Sequence, residues 1–230
     1  MDRRHAARFP GAAGRIPNFV GAEAAAQRLA ELPEWEAAAT VKCNPDAPQL
    51  PVRAAALAAG KLLYMAVPRL ATERPFIRLD PERLERAEIL PRRAVSIAHA
   101  ARHGIAAGIA EMWRIDLVVC GVVAVNRLGA RIGKGGGFSD LELALLVEAG
   151  VVDDATVIAT TVHEVQVVDE ELPETEHDFR VDLVVTPERV LRTGATKRTP
   201  GIIWAHLPPE KIAEIPVLAA LSQRRALPPA

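Results

Sequence analysis

Cysteine is scarce in this chain of 230 residues: only Cys43 and Cys120 occur. They lie far apart and form no CxxC pair, which excludes a disulfide-stapled scaffold and a zinc ribbon. Each sits in an apolar run and reads as a buried free thiol in a reducing compartment. Aromatic residues make up 4% of the sequence, and Trp35, Trp113 and Trp204 read as core or edge packing rather than as platforms for stacked bases. Neither sign of charge is in excess, with 28 Lys+Arg against 29 Asp+Glu. No global field draws the chain to nucleic acid or to a membrane, so any basic site must be local. Long apolar runs are also missing, since the longest, residues 117–125, is far too short to span a bilayer. The amino-terminal MDRRHAARFPGAAGR is charged, and no apolar stretch of signal-peptide type follows it. A cytoplasmic location is expected, with no membrane partner.

What is present is the composition of an ordinary folded domain, 50% hydrophobic and 25% charged, in a chain long enough for a large core. The pattern predicts helices over 19–32, 52–60, 92–104, 139–150 and 209–221, the last interrupted by Pro216. Gly104 is expected to cap the end of the third helix, and Ser139 or Asp140 the start of the fourth. Strands are expected over 37–43, 61–67, 115–125, 156–162, 181–186 and 201–207, while 69–91 yields no clear element. Strands alternating with helices predict an α/β fold, three layers α/β/α around a largely parallel sheet of about six strands. The expected organisation is an N-terminal arm (1–18), one α/β domain (19–207), and a C-terminal helix and frayed tail (208–230).

The most informative stretch is GARIGKGGGFSD, residues 129–140. Glycine loses more conformational entropy on folding than any other residue, so five in so short a segment need a reason. The stretch lies between the strongest predicted strand and a predicted helix, where open α/β sheets collect ligands. A helix N-terminus offers unpaired N–H groups and partial positive charge to an anion. Gly133, Gly135, Gly136 and Gly137 would let the backbone close around a phosphate. Arg131 and Lys134 add charge, and the Asp140 carboxylate suits Mg²⁺. A flexible surface turn with solvated cations is the plainer alternative. The stretch is neither a Walker A loop nor a GxGxxG fingerprint.

In order, Gly129, Arg131, Gly133, Lys134, Gly135, Gly137, Phe138 and Asp140 match a pattern, G-x-R-[aliphatic]-G-[K/R]-G-x-G-[Tyr/Phe]-x-D. The segment so resembles the nucleotide loop of the 5-formyltetrahydrofolate cyclo-ligase family. A second block, Gln166, Pro173, His177-Asp178 and Thr186, stands in the family's order, and GKLLYMAVPR is a third, vaguer echo. Together these cover roughly residues 37–190. RIPNFVGAEAAA, KCNPDAPQ and GIIWAHLPPEKIAEIPVL look like a divergent branch of the family, typified by methenyltetrahydrofolate synthase domain-containing proteins.

The resemblance implies the fold of NagB/RpiA/CoA-transferase-like proteins and an ATP-dependent ligase. In the implied reaction the formyl oxygen of 5-formyltetrahydrofolate takes the γ-phosphoryl group of ATP. The N10 amine then attacks the activated carbon, and phosphate leaves to give 5,10-methenyltetrahydrofolate. Arg131 and Lys134 would be catalytic through charge neutralisation. Gly133 to Gly137, Phe138 and Asp140 would bind ATP, and Asp140 with Asp178 would hold Mg²⁺. Gln166 and His177 would face the substrate, a reduced folate.

Two departures stand out. The family's N-terminal helix carries a lysine and arginines, whereas here that helix has only Arg28, with Arg15 upstream as a substitute. Ala47 occupies the place of the glutamate that grips folate, leaving Asp46 or Gln49 to replace it. The rival readings are a non-catalytic nucleotide- or RNA-binding protein on the same fold and an ATP-dependent enzyme with a different formylated substrate.

Overall fold

The computed structural model describes residues 1–226. The elements are, in chain order, α1 (Ala22–Ala30), α2 (Pro33–Ala37), β1 (Thr40–Cys43), α3 (Leu50–Ala58), β2 (Leu62–Ala66), β3 (Phe76–Leu79) and α4 (Pro81–Arg86). Next come α5 (Pro91–Ala94), α6 (Ile97–His103), β4 (Ile105–Ala107), β5 (Leu117–Cys120), β6 (Ala124–Asn126), β7 (Arg131–Ile132) and α7 (Phe138–Glu148). The chain continues through β8 (Val157–Thr161), β9 (Val167–Val168), β10 (Leu183–Val185), β11 (Val190–Arg192), α8 (Pro209–Glu214) and α9 (Pro216–Ala226).

Eight strands form one sheet in the order β11-β10-β8-β5-β1-β2-β3-β4. The five from β10 to β2 are parallel, and β11, β3 and β4 add antiparallel edges. The short strands β7, β6 and β9 make a second small sheet. Side chains alternate across the large sheet with period two. Leu117 and Val119 pack with α1 and α3 on one face, while Val118 and Cys120 pack with α7 and α9 on the other. The expected three layers are present, around a mixed, mostly parallel sheet larger than foreseen.

Several expectations are corrected. The apolar run 115–125 is not one strand: it breaks at Gly121, and its second half becomes β6 in the other sheet. Residues 201–207 form no strand and end in a single 3-10 turn at Trp204–His206. The helix expected over 92–104 is two, because the Ser96 hydroxyl accepts from the His99 N–H and starts α6 afresh. Gly104 does cap α6, as expected, with φ −83°; a Cβ there would meet Ile77 at 2.3 Å, so close packing selects glycine. Pro33 opens α2 rather than merely ending α1. Trp113 is exposed at 64%. The tail beyond residue 226 lies outside the described residues.

Both thiols are fully buried, as expected, and burial pushes Cys43 up to about 11. No helix among the described residues is long and apolar enough to cross a membrane.

Candidate functional site

Strands β1, β5 and β8 run parallel and end together, just before Asn44, Gly121 and Val162. The turn after β1 brings Asp46 and Gln49 over the end of β5. A Cβ on Gly121 would lie 2.7 Å from Gln49 Oε1, 3.0 Å from Ile16 Cγ2 and 3.1 Å from Asp46 Oδ2. The glycine that breaks the long apolar run therefore makes room for this approach. Gln49 is fully buried, and its Nε2 donates to the carbonyl and hydroxyl oxygens of Thr161 at 3.4 and 3.3 Å. Its Oε1 is buried without a donor.

Arg53, which sequence reasoning passed over, pins the turn from below. It is 1% exposed, and it donates to the carbonyls of Asn44, Asp46 (3.0 Å) and Val95 (2.9 Å). Lys42 was also missed. It alternates with Val41 and Cys43, so it faces α7 and forms a buried ion pair with Glu142 while donating to Asn44 Oδ1 at 2.7 Å.

The glycine stretch runs from β7 into α7. Arg131 is buried, pairs with Asp140 and stacks its guanidinium 3.6 Å from the Phe179 ring centroid. Its Nε has no partner. Lys134 is half exposed and reaches Asp46 Oδ1 at 3.5 Å, joining the glycine stretch to the turn after β1. Neither Gly133 nor Gly135 would bring a Cβ within 4 Å of any heavy atom, so both face open space. Helix α7 is capped by Gly137 in the left-handed conformation (φ 66°), not by Ser139 or Asp140. Among the described residues no side chain caps its first N–H groups by a hydrogen bond.

Gly129, in contrast, is structural: φ is +84° and a Cβ would sit 2.3 Å from the Val181 carbonyl oxygen. Gly129→Ala is expected to lower stability by about 1–3 kcal/mol or more, whereas Gly133→Ala leaves the melting temperature unchanged and weakens anion binding. Thermal melts of the two variants check this, and equal losses would contradict the division of roles.

Burial raises the Asp140 pKa against the pull of Arg131, and the Asp178 charge adds to the rise. Asp178 is lowered despite its burial, because Thr175 donates to it from its N–H at 2.6 Å and its hydroxyl at 2.8 Å. Among the described residues no group of three His, Cys, Asp or Glu side chains could hold a metal by itself. Asp140 and Asp178 lie close enough for their charges to interact, and a pair of carboxylates fits Mg²⁺, which usually takes one or two of them together with substrate phosphates.

His177 accompanies Asp140 along a cavity of about 90 Å³ beside the start of α7. Its ring meets that of His206 edge-on at 6.0 Å. Phe138 follows the cap and lies beneath Lys211 Nζ, 5.7 Å from its ring centroid. Gln166 is not brought into the open: its amide donates to the carbonyls of Val122 and Val123 at 3.1 Å each and accepts from the His163 N–H at 3.0 Å. Arg15 is exposed and donates to the Ala13 carbonyl at 3.3 Å, next to the Ile16 that packs on Gly121.

Residues 3–187 match the 5-formyltetrahydrofolate cyclo-ligase family. The chain is 41% identical over 214 residues to the mouse (Mus musculus) methenyltetrahydrofolate synthase domain-containing protein, covering 91% of this chain and 56% of that protein. The human (Homo sapiens) counterpart is 39% identical over 228 residues, covering 97% of this chain and 59% of the relative. The chain thus spans less than two thirds of the length of these relatives. The NMR structure of Aquifex aeolicus 5,10-methenyltetrahydrofolate synthetase superposes with a TM-score of 0.50 at 20% identity, over 81% of this chain and 88% of that one. At that identity the likeness speaks for the fold alone.

Proposed function

The chain belongs to the 5-formyltetrahydrofolate cyclo-ligase family, and from that premise we propose that it is an ATP- and Mg²⁺-dependent cyclo-ligase. Its reaction would convert 5-formyltetrahydrofolate to 5,10-methenyltetrahydrofolate with release of ADP and phosphate. One observation carries the reading: the open glycines between buried Arg131 and the uncovered N-terminus of α7. Phosphoryl transfer depends on positioning and charge neutralisation, and this stretch supplies both.

Gly133 to Gly137 would donate backbone N–H groups to the phosphates, flanked by Phe138. Arg131 offers its unpartnered Nε, and Lys134 swings from Asp46 to neutralise phosphate oxygens. Asp140 and Asp178 would hold Mg²⁺, which when bound neutralises phosphate charge. On the folate side, Gln49 Oε1 is an acceptor in want of a donor, and Asp46 supplies the carboxylate that Ala47 lacks. His177 would border the substrate from the cavity side, Arg15 would reach in from the arm, and Gln166 positions the β5–β6 connection. A cytoplasmic setting suits this chemistry.

The family's folate-gripping glutamate is absent at Ala47, which favours a second reading. In it a nucleotide- or RNA-binding protein keeps the loop without turnover, or the ligase takes another formylated substrate.

Absorbance of 5,10-methenyltetrahydrofolate, followed with and without ATP and Mg²⁺, separates these readings. Lys134→Ala is expected to slow turnover roughly 10²-fold with an unchanged melting temperature, since Lys134 is half exposed. Full activity in that variant would remove Lys134 from the mechanism. RNA binding without turnover, falling steeply with salt, would favour the second reading.

A further inference from the structure

The chain does not end its involvement with the glycine stretch at α7. Beyond the family-matched residues 3–187, the C-terminal segment runs back along that helix, from its end at Glu148 to its start. The Ile202 N–H donates to Glu148 Oε2 at 3.0 Å. Ile215, Val217 and Leu218 are buried in the core beneath α7. This anchoring fixes α8, and α8 presents Lys211 to the glycines. Lys211 Nζ donates to the Gly136 carbonyl at 3.1 Å and stands 5.7 Å over the Phe138 ring. It would lie 3.3 Å from a Cβ placed on Gly137.

Lys211 differs from the other cations here in what neutralises it. Lys42 is paired with Glu142, Arg131 with Asp140, and Lys134 with Asp46. Lys211 forms no ion pair among the described residues, and its single recorded hydrogen bond uses one of three ammonium donors. A core-anchored ammonium with spare donors thus stands at the helix N-terminus that favours an anion. The cavity beside it, bordered by Asp140, His177 and Leu207, keeps that side open.

We infer that Lys211 is a third phosphate-binding cation, supplied by the C-terminal segment, which contacts the terminal phosphates of the bound nucleotide and closes the glycine stretch over them. This rests on the nucleotide reading above. On binding, the ammonium keeps or exchanges its bond to Gly136 and donates its remaining N–H groups to phosphate oxygens.

The test uses the whole chain and calorimetric titration with ATP and with AMP, each with Mg²⁺, alongside thermal melts. Lys211→Gln keeps a donor for the Gly136 carbonyl and removes the charge. It is expected to weaken ATP binding roughly tenfold or more, with AMP binding and the melting temperature little changed. Lys211→Arg is expected to retain ATP affinity. Unchanged ATP affinity in Lys211→Gln would overturn the inference, as would equal losses for ATP and AMP, which mark a loop strut. If Lys134→Ala weakens ATP binding and Lys211→Gln does not, this inference alone fails. If the unaltered chain binds no ATP, both it and the nucleotide reading fail.

Discussion

Replacing Arg131 by methionine is expected to destabilise the fold by about 3–5 kcal/mol and to abolish nucleotide binding. The guanidinium is buried between the Asp140 carboxylate and the Phe179 ring. Removing it leaves a carboxylate in a dry site whose pKa burial already raises. For a chain of this length the loss amounts to a melting temperature lower by roughly 10 °C. The double variant Arg131→Met/Asp140→Leu should recover most of the stability, because no unpaired charge remains buried. It should not recover nucleotide binding, because the cation at the glycine stretch is still missing. Arg131→Lys keeps the charge but loses the fork and the stack, and it should fall between. A melt of Arg131→Met within 1 °C of the unaltered chain would contradict the account.

The second large effect is expected at Lys42 and Glu142, whose buried ion pair joins β1 to α7. Glu142→Gln leaves the Lys42 ammonium buried without a counter-charge, with only neutral oxygens such as Asn44 Oδ1 to accept from it. The expected cost is about 3–5 kcal/mol, by the same reasoning as for any buried pair broken on one side. Lys42→Met/Glu142→Leu should restore stability to near or above the starting value, since desolvating both charges offsets much of what their attraction returns. Denaturant unfolding of the two variants decides the matter. A Glu142→Gln midpoint equal to the original would mean that the pair contributes nothing. The link from β1 to α7 also predicts that Glu142→Gln disturbs the glycine stretch, because the same helix starts there.

The parts of the fold legible in the sequence are those whose signal is local. Strands β1, β2, β5, β8 and β10 are covered on both faces, and β2, β5 and β10 read as continuous apolar runs. The antiparallel strands β3, β4 and β11 are short, and β3 lies within 69–91, where charge and proline obscure the pattern. Residues 201–207 show the converse failure. Ile202, Trp204 and Leu207 pack on the core from an irregular segment, so the apolar composition of a strand appears with no neighbouring strand to pair with. The break at Gly121 was invisible because its cause, the approach of Ile16, Asp46 and Gln49, comes from distant segments.

The site divides in the same way. The glycine stretch is contiguous and could be read directly, although its helix cap shifted to Gly137. Lys42, Arg53 and Glu142 act through partners elsewhere in the chain, and a lysine in a strand gives no sign of burial. An arginine amid the apolar residues of Leu50–Ala58 was a usable hint. Lys211 had none, because its place depends on the fold of the C-terminal segment. Gln166 shows the limit of a motif, since order along the chain does not reveal that its amide is spent on backbone.

The central claim is that the glycine stretch holds the phosphates of ATP. The most direct test is to titrate the ¹⁵N-labelled chain with ATP and Mg²⁺, and separately with adenosine, while following backbone amide resonances. The account predicts saturable shifts of Gly133 to Gly137 and Phe138 with ATP and little change at those amides with adenosine. Shifts confined to other parts of the chain, or none at all, would contradict it.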